Sequence, residues 1–141
     1  MIELPDHGVE FSYQIASANI DGINGYGATY EVDYNSSSFN TTNNNKKISI
    51  ESWIRYDEYD KDFNIDHIGY LYRNNLKNYN LGLSINFLDN KYFSQSNLSV
   101  NYIKSKNFNN VVLENMISFD WGSKLFNNYT MKFGASKSDV T

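Results

Sequence analysis

Between residues 79 and 102 the chain alternates apolar and polar side chains with a period of two, and no other feature limits its possible folds as much. Tyr79, Leu81, Leu83, Ile85 and Phe87 alternate with Asn80, Gly82, Ser84 and Asn86. After a polar break at residues 89–96, Leu98, Val100 and Tyr102 alternate with Asn97, Ser99 and Asn101. Successive side chains of a strand point to opposite faces, so the two runs predict a β-hairpin with one apolar face and one small, polar face. A helix would need its apolar residues every three to four positions, a spacing absent here.

The same alternation recurs along the chain, punctuated by turn-forming clusters. Residues 1–7 read as a lead-in, since Pro5 has no N–H for a ladder, and residues 8–141 read as a single domain. A first strand at residues 8–20 sets Val9, Phe11, Tyr13 and Ile15 against Glu10, Ser12, Gln14 and Ala16. A turn is predicted over residues 21–25. The second strand, residues 26–39, sets Tyr26, Ala28, Tyr30, Val32 and Tyr34 against Gly27, Thr29, Glu31 and Asp33. A third strand at residues 47–59 sets Ile48, Ile50, Ile54 and Tyr56 against Ser49, Glu51, Trp53 and Arg55. A fourth, less regular, is expected at residues 65–73, with Ile68, Tyr70 and Tyr72 opposite His67, Gly69, Leu71 and Arg73. The hairpin supplies strands five and six. Residues 111–121 and 129–136 supply the last two, with Ile117, Phe119, Trp121, Met131 and Phe133 on the apolar side. Asp120 and Lys132 fall on the polar side. Short connectors between eight such runs predict an all-β, antiparallel up-and-down meander.

Composition agrees with strands and narrows the class. Of 141 residues, 16% are aromatic, including 12 Tyr and 9 Phe, with a single Pro, which is too apolar for a disordered chain. The net charge of -4 and the absence of a basic block argue against nucleic acid as a partner. With no cysteine there is no disulfide framework and no thiolate metal site.

Two architectures share this binary pattern. In a soluble barrel of the lipocalin kind, the apolar face points inward and encloses an apolar ligand. In a transmembrane β-barrel the apolar face meets lipid and the polar face lines the lumen. The polar face favours the second, being mostly Ser, Asn, Gly and Thr with charges of both signs. Lys46, Lys61, Lys77, Lys91, Lys104, Lys106 and Lys124 are expected in connectors. Tyr residues near strand ends suit interfacial aromatic girdles. On this reading Leu81, Leu83, Ile85, Phe87, Leu98 and Val100 face lipid. Glu10, Glu31, Asp33, Glu51, Arg55, Arg73, Asp120 and Lys132 form a lumen-facing charge network.

The segments Tyr26-Gly-Ala-Thr-Tyr-Glu-Val-Asp-Tyr34 and Tyr79-Asn-Leu-Gly-Leu-Ser-Ile-Asn-Phe87 resemble the staves of bacterial outer-membrane β-barrels. The Gly-Val-Glu-Phe-Ser-Tyr run at residues 8–13 is similar to barrels that follow a periplasmic helical-repeat domain, such as the surface lipoprotein assembly modifiers. The resemblance implies an outer-membrane location, the lipid bilayer and an exported or surface protein as partners, and transport, export or anchoring as the work. Residues 1–8 carry no signal-peptide pattern, and the chain does not end in the Phe or Trp that closes such barrels. The expectation is therefore a section of a larger barrel, with closure of eight strands on their own as the other option.

Little in the sequence suggests catalysis, and neither a catalytic residue nor a cofactor is expected. His67 follows Asp66, but neighbours on a strand face opposite ways, so a structural role is expected for it. His7 is expected at the surface of the lead-in. Asp57, Glu58, Asp60 and Asp62 cluster without the spacing of a calcium loop and are expected in a solvated turn. The Asn-x-Ser/Thr triplets at Asn35, Asn40, Asn97 and Asn128 are what an Asn-rich chain produces by chance.

The face assignment makes a direct prediction. Leu83→Arg abolishes insertion into lipid vesicles, measured by flotation, whereas Ser84→Arg on the opposite face leaves insertion intact or alters conductance; equal effects would contradict the assignment.

Overall fold

The computed structural model describes residues 7–41, 46–63, 74–88, 93–125 and 129–139. These form one antiparallel sheet of seven strands in sequence order: β1 (His7–Ile20), β2 (Ile23–Thr41), β3 (Lys46–Tyr59), β4 (Leu76–Leu88), β5 (Phe93–Lys106), β6 (Val112–Leu125) and β7 (Thr130–Asp139). Each strand pairs only with its sequence neighbours, so the meander is as expected, but the sheet stays open. β1 and β7 are its two edges, and no barrel is closed.

The described residues hold seven strands, where the sequence predicts eight. The expected fourth strand, residues 65–73 with Arg73, lies outside the described residues. β3 pairs directly with β4 from Lys47↔Leu88 to Tyr59↔Leu76, which leaves no place for a strand between them. The continuity of the alternation on both sides explains this: Tyr56 meets Tyr79, Ile54 meets Leu81, and the apolar face runs on unbroken.

The first turn is tighter than the sequence suggested. Asp21 and Gly22 alone connect β1 to β2, with φ of 53° and 81°. Two successive positive φ values are the mark of a type I′ turn, whose twist matches that of the strands, and Asp-Gly is a favoured pair for it. The hairpin therefore pairs from Ile20↔Ile23 outward, and residues 23–25 belong to β2. At the β5–β6 turn, Asn107 Oδ1 accepts the Val111 N–H at 2.9 Å and Asn110 takes φ 64°. That is a side-chain substitute for a backbone turn bond.

The sheet has almost no core of its own. Among the described residues only Ala28 and Phe63 are buried apolar residues, and no large side chain is fully buried. Ile54 is 57% exposed, Phe11 63% and Phe133 58%. Among the described residues there is no helix and no second sheet to cover these side chains.

Candidate functional site

The register sorts side chains into two faces, and the pairing keeps the apolar rows together across all seven strands. One row on the apolar face runs Phe11, Val32, Ile54, Leu81, Tyr102, Ile117 and Lys137; the next runs Val9, Tyr34, Ser52, Leu83, Val100, Phe119 and Ala135. Leu81, Leu83, Ile85, Phe87, Leu98 and Val100 all lie on this face. So does a ladder of four tyrosines, Tyr13, Tyr30, Tyr56 and Tyr79, on four consecutive strands. Tyr56 and Tyr79 have ring centroids 4.9 Å apart, and Tyr30 and Tyr56 stack at 6.3 Å. At the far end Phe93 meets Trp121 edge-on at 6.4 Å.

The apolar band does not run square to the strands. Its upper limit is Ile15 on β1, but the register carries the Ile15 row to Glu58 on β3, two residues beyond Tyr56. The Tyr79 row reaches Lys104 on β5, two beyond Tyr102, and the Ile117 row reaches Lys137 on β7, two beyond Ala135. The lower limit drifts the same way, from Val9 on β1 through Phe87 on β4 to Leu125 on β6. The drift is about one residue per strand. With a rise of about 3.3 Å per residue and a spacing of about 4.8 Å, a level band requires strands tilted by about 35°. From Tyr79 to Phe87 the band spans about 27 Å along the strand, or about 22 Å in height at that tilt.

The polar face is held by hydrogen bonds between side chains of neighbouring strands. Asp57, 6% exposed, accepts Thr29 Oγ1 at 2.8 Å, Arg55 Nε at 3.0 Å and Asn78 Nδ2 at 3.4 Å. Ser105 Oγ donates to Asn78 Oδ1 at 2.8 Å and extends the chain to β5. Asn97 Nδ2 donates to Ser84 Oγ and to Asn86 Oδ1, both at 2.8 Å, and Asn86 Nδ2 reaches Glu51 at 3.5 Å. Trp53 lies flat across Gly82 on β4, where any Cβ would collide with its indole ring. Residues 60–63 fold back over β2, so that Phe63 is 3% exposed, stacks on Tyr59 at 5.8 Å and fills the space above Gly27.

The charges expected to form one network fall into separate rows. Glu10 faces Asp33; Glu31 faces Arg55; Glu51 shares a row with Ser84, Ser99 and Asp120; and Lys132 lies opposite Gly122. Arg55 makes its ion pair with Asp57 on its own strand at 3.0 Å. Arg73 lies outside the described residues, as does His67, and His7 opens β1.

Two sequence expectations need correction. Asp57 and Glu58 are not in a solvated turn: both are strand residues, Asp57 buried on the polar face and Glu58 on the apolar side, accepting the Tyr56 hydroxyl at 2.8 Å. Only residues 60–63 form the turn, where Asp60 Oδ1 accepts the Asp62 N–H. Lys46, Lys77, Lys104, Lys106 and Lys124 lie within strands, not in connectors; Lys61 lies in a turn, and Lys91 lies outside the described residues. The strands run on past Tyr56 to Tyr59 and past Tyr102 to Lys106, although the apolar–polar alternation stops there.

Among the described residues no His, Asp and Glu side chains gather in a set of three that could hold a metal ion. Comparison with known protein families, with curated proteins and with solved structures finds no match for this chain.

The Asp57 cluster yields a prediction. Asp57→Ala strips a carboxylate of three donors and destabilises the sheet by about 1–3 kcal/mol. Asp120→Ala, at an exposed position, changes stability by less than about 0.5 kcal/mol. Urea midpoints of the folded protein check the contrast.

Proposed function

We propose that this chain is a section of a bacterial outer-membrane β-barrel, with its apolar face against lipid and its polar face toward the interior. The observation that carries the proposal is the slanted apolar band. A strand tilt of about 35° levels it, and strands of membrane barrels tilt by about 35–45° around an apolar belt about 25 Å tall. Barrels of either kind stagger their strands in this way, and the aromatic rims and the mixed polar face favour lipid outside the apolar side.

Three further features support the reading. The belt is rimmed by Tyr on one side and by Phe and Trp on the other, in the places where membrane barrels carry aromatic girdles. Ser96 and Ser123, polar side chains inside the belt, are satisfied locally, as a medium without water requires. Ser96 Oγ donates to the Gly122 carbonyl and accepts Trp121 Nε1 at 3.0 Å, and Ser123 Oγ donates to the Gln95 carbonyl. The polar face offers hydrogen-bonding Asn, Ser and Thr with mixed charges, which suits a hydrated interior.

The open edges of β1 and β7 fit a section whose remaining strands complete the wall, because an unpaired edge has no partner in lipid. The work of such a wall is passage, export or anchoring, not catalysis. With the resemblance to barrels that follow a helical-repeat domain, an exported surface protein is the cargo we propose along the polar face. Residues 60–63, folded over Gly27, narrow that face at one end.

Polarised infrared spectroscopy of the protein in oriented bilayers tests the reading. The strands should tilt by about 35–45° from the bilayer normal, and purification should require detergent. A monodisperse, detergent-free monomer would establish instead the soluble barrel with an apolar ligand inside.

A further inference from the structure

Among the described side chains of the apolar face, three lysines gather at one rim of the belt on β4 and β5. On β4 and β5, Lys77 lies directly opposite Lys106, and Lys104 lies opposite Tyr79, one step closer to the belt. All three are on the apolar face, half-buried, just above Tyr79 and Tyr102. Directly opposed residues have Cβ atoms about 5 Å apart and diagonal ones about 7–8 Å, so the three ammonium groups can converge on one small anion. At the other rim the described side chains of this face are Ile48, Phe87, Phe93, Leu125, Tyr129 and Met131, without a cation.

The cluster keeps a net positive charge: among the described residues its three lysines face one carboxylate, Glu58, and none of them forms an ion pair. The ion pairs among the described residues are Arg55–Asp57, Lys61–Asp62 and Lys137–Asp139. Glu58 lies opposite Lys77, but its carboxylate accepts the Tyr56 hydroxyl. Lys77 Nζ rests 4.5 Å from the centre of the Phe108 ring, a contact that holds the cation without cancelling its charge. Like charges directly opposite on a sheet repel, and an anion between them reverses the sign of that interaction.

Beside the cluster, towards the belt, an apolar groove of about 380 Å³ crosses β5 to β7, lined by Val100, Ile117, Phe119, Ala135 and Lys137. Ala135, which faces Phe119, leaves room there between the larger side chains of β5 and β6.

We propose that Lys77, Lys104 and Lys106 bind the phosphate-bearing headgroup of a lipid whose acyl chain lies in the groove at Phe119 and Ala135. The site rests on the membrane reading, since it places lysines at the headgroup level and the groove at the level of the chains. Phosphate is the recognised chemistry, and it is carried equally by an anionic phospholipid and by a phosphorylated saccharide lipid.

The test uses the full chain in mixed micelles with phosphatidylcholine, phosphatidylglycerol or lipid A, and counts retained lipids by native mass spectrometry. The protein should retain phosphatidylglycerol or lipid A at least about tenfold over phosphatidylcholine, given what each surface lysine contributes toward an anionic lipid. Whichever of the two is retained more identifies the source. The variant Lys77→Gln/Lys104→Gln/Lys106→Gln should lose the preference, and Lys61→Gln/Lys124→Gln should keep it. If the triple variant fails to fold, Lys104→Gln alone should reduce the preference several-fold. A protein that floats with phosphatidylcholine vesicles yet shows no headgroup preference would overturn the site and leave the membrane reading standing. Failure to float would overturn both. Displacement of the lipid by inorganic phosphate would overturn the assignment to a lipid.

Discussion

Everything in this molecule depends on keeping an even register across six strand pairings. Because side chains alternate with period two, a slip of one residue in any pairing would exchange the two faces from that strand onward. No such exchange occurs. The two irregular steps on β5, beside Phe93 and beside Lys106, leave Phe93 with Leu125 and Tyr102 with Ile117 on the apolar side. At the Ser36/Phe39 irregularity of β2, Ser36 Oγ accepts the Ile50 N–H and donates to the Ile50 carbonyl, so a side chain takes over bonds that the backbone gives up. Small residues absorb the distortions, and the large ones stay in their rows.

A sheet built this way cannot be stabilised by burial within the protein. Apolar burial contributes roughly 25 cal/mol per Å², and here the apolar face keeps most of its area open while the buried side chains are mainly Ser and Asp. What remains is the backbone ladder, the tyrosine ladder and the hydrogen-bonded rows around Asp57 and Asn97. Water would oppose so large an exposed apolar surface. Lipid would not, and in lipid the backbone bonds become harder to break because nothing replaces them. The proposed setting therefore supplies what the fold lacks. Level edges, aromatic rims and a cationic cluster at one rim are then consequences of the same orientation.

Much of this was legible from residue order alone, because period-two alternation is a local signal and seven of the expected strands carry it. The two faces were readable for the same reason, down to Leu81, Leu83 and Ile85 opposite Asn80, Ser84 and Asn86. What could not be read depended on which strand stands beside which. β3 pairs directly with β4, and residues 65–73, which carry a plausible alternation, lie outside the described residues. The separation of Glu31 from the row that Glu51 shares with Asp120, and the capture of Arg55 by Asp57, follow from register, which single strands do not encode. The place of Trp53 on the polar face, over Gly82, is also a contact between neighbouring strands. The slant of the belt is likewise invisible within any one strand; it exists only as an offset between neighbours.

The two tryptophans stand on opposite faces, Trp53 over Gly82 and Trp121 beside Phe93, and this makes the central claim directly measurable. Single-tryptophan forms, Trp53→Phe and Trp121→Phe, are reconstituted in vesicles whose acyl chains carry bromine. Lipid quenching should be strong for the form that retains Trp121 and weak for the form that retains Trp53, which an aqueous quencher should reach instead. Equal quenching of the two forms, or stronger lipid quenching of Trp53, would contradict the orientation of the sheet on which the whole account rests.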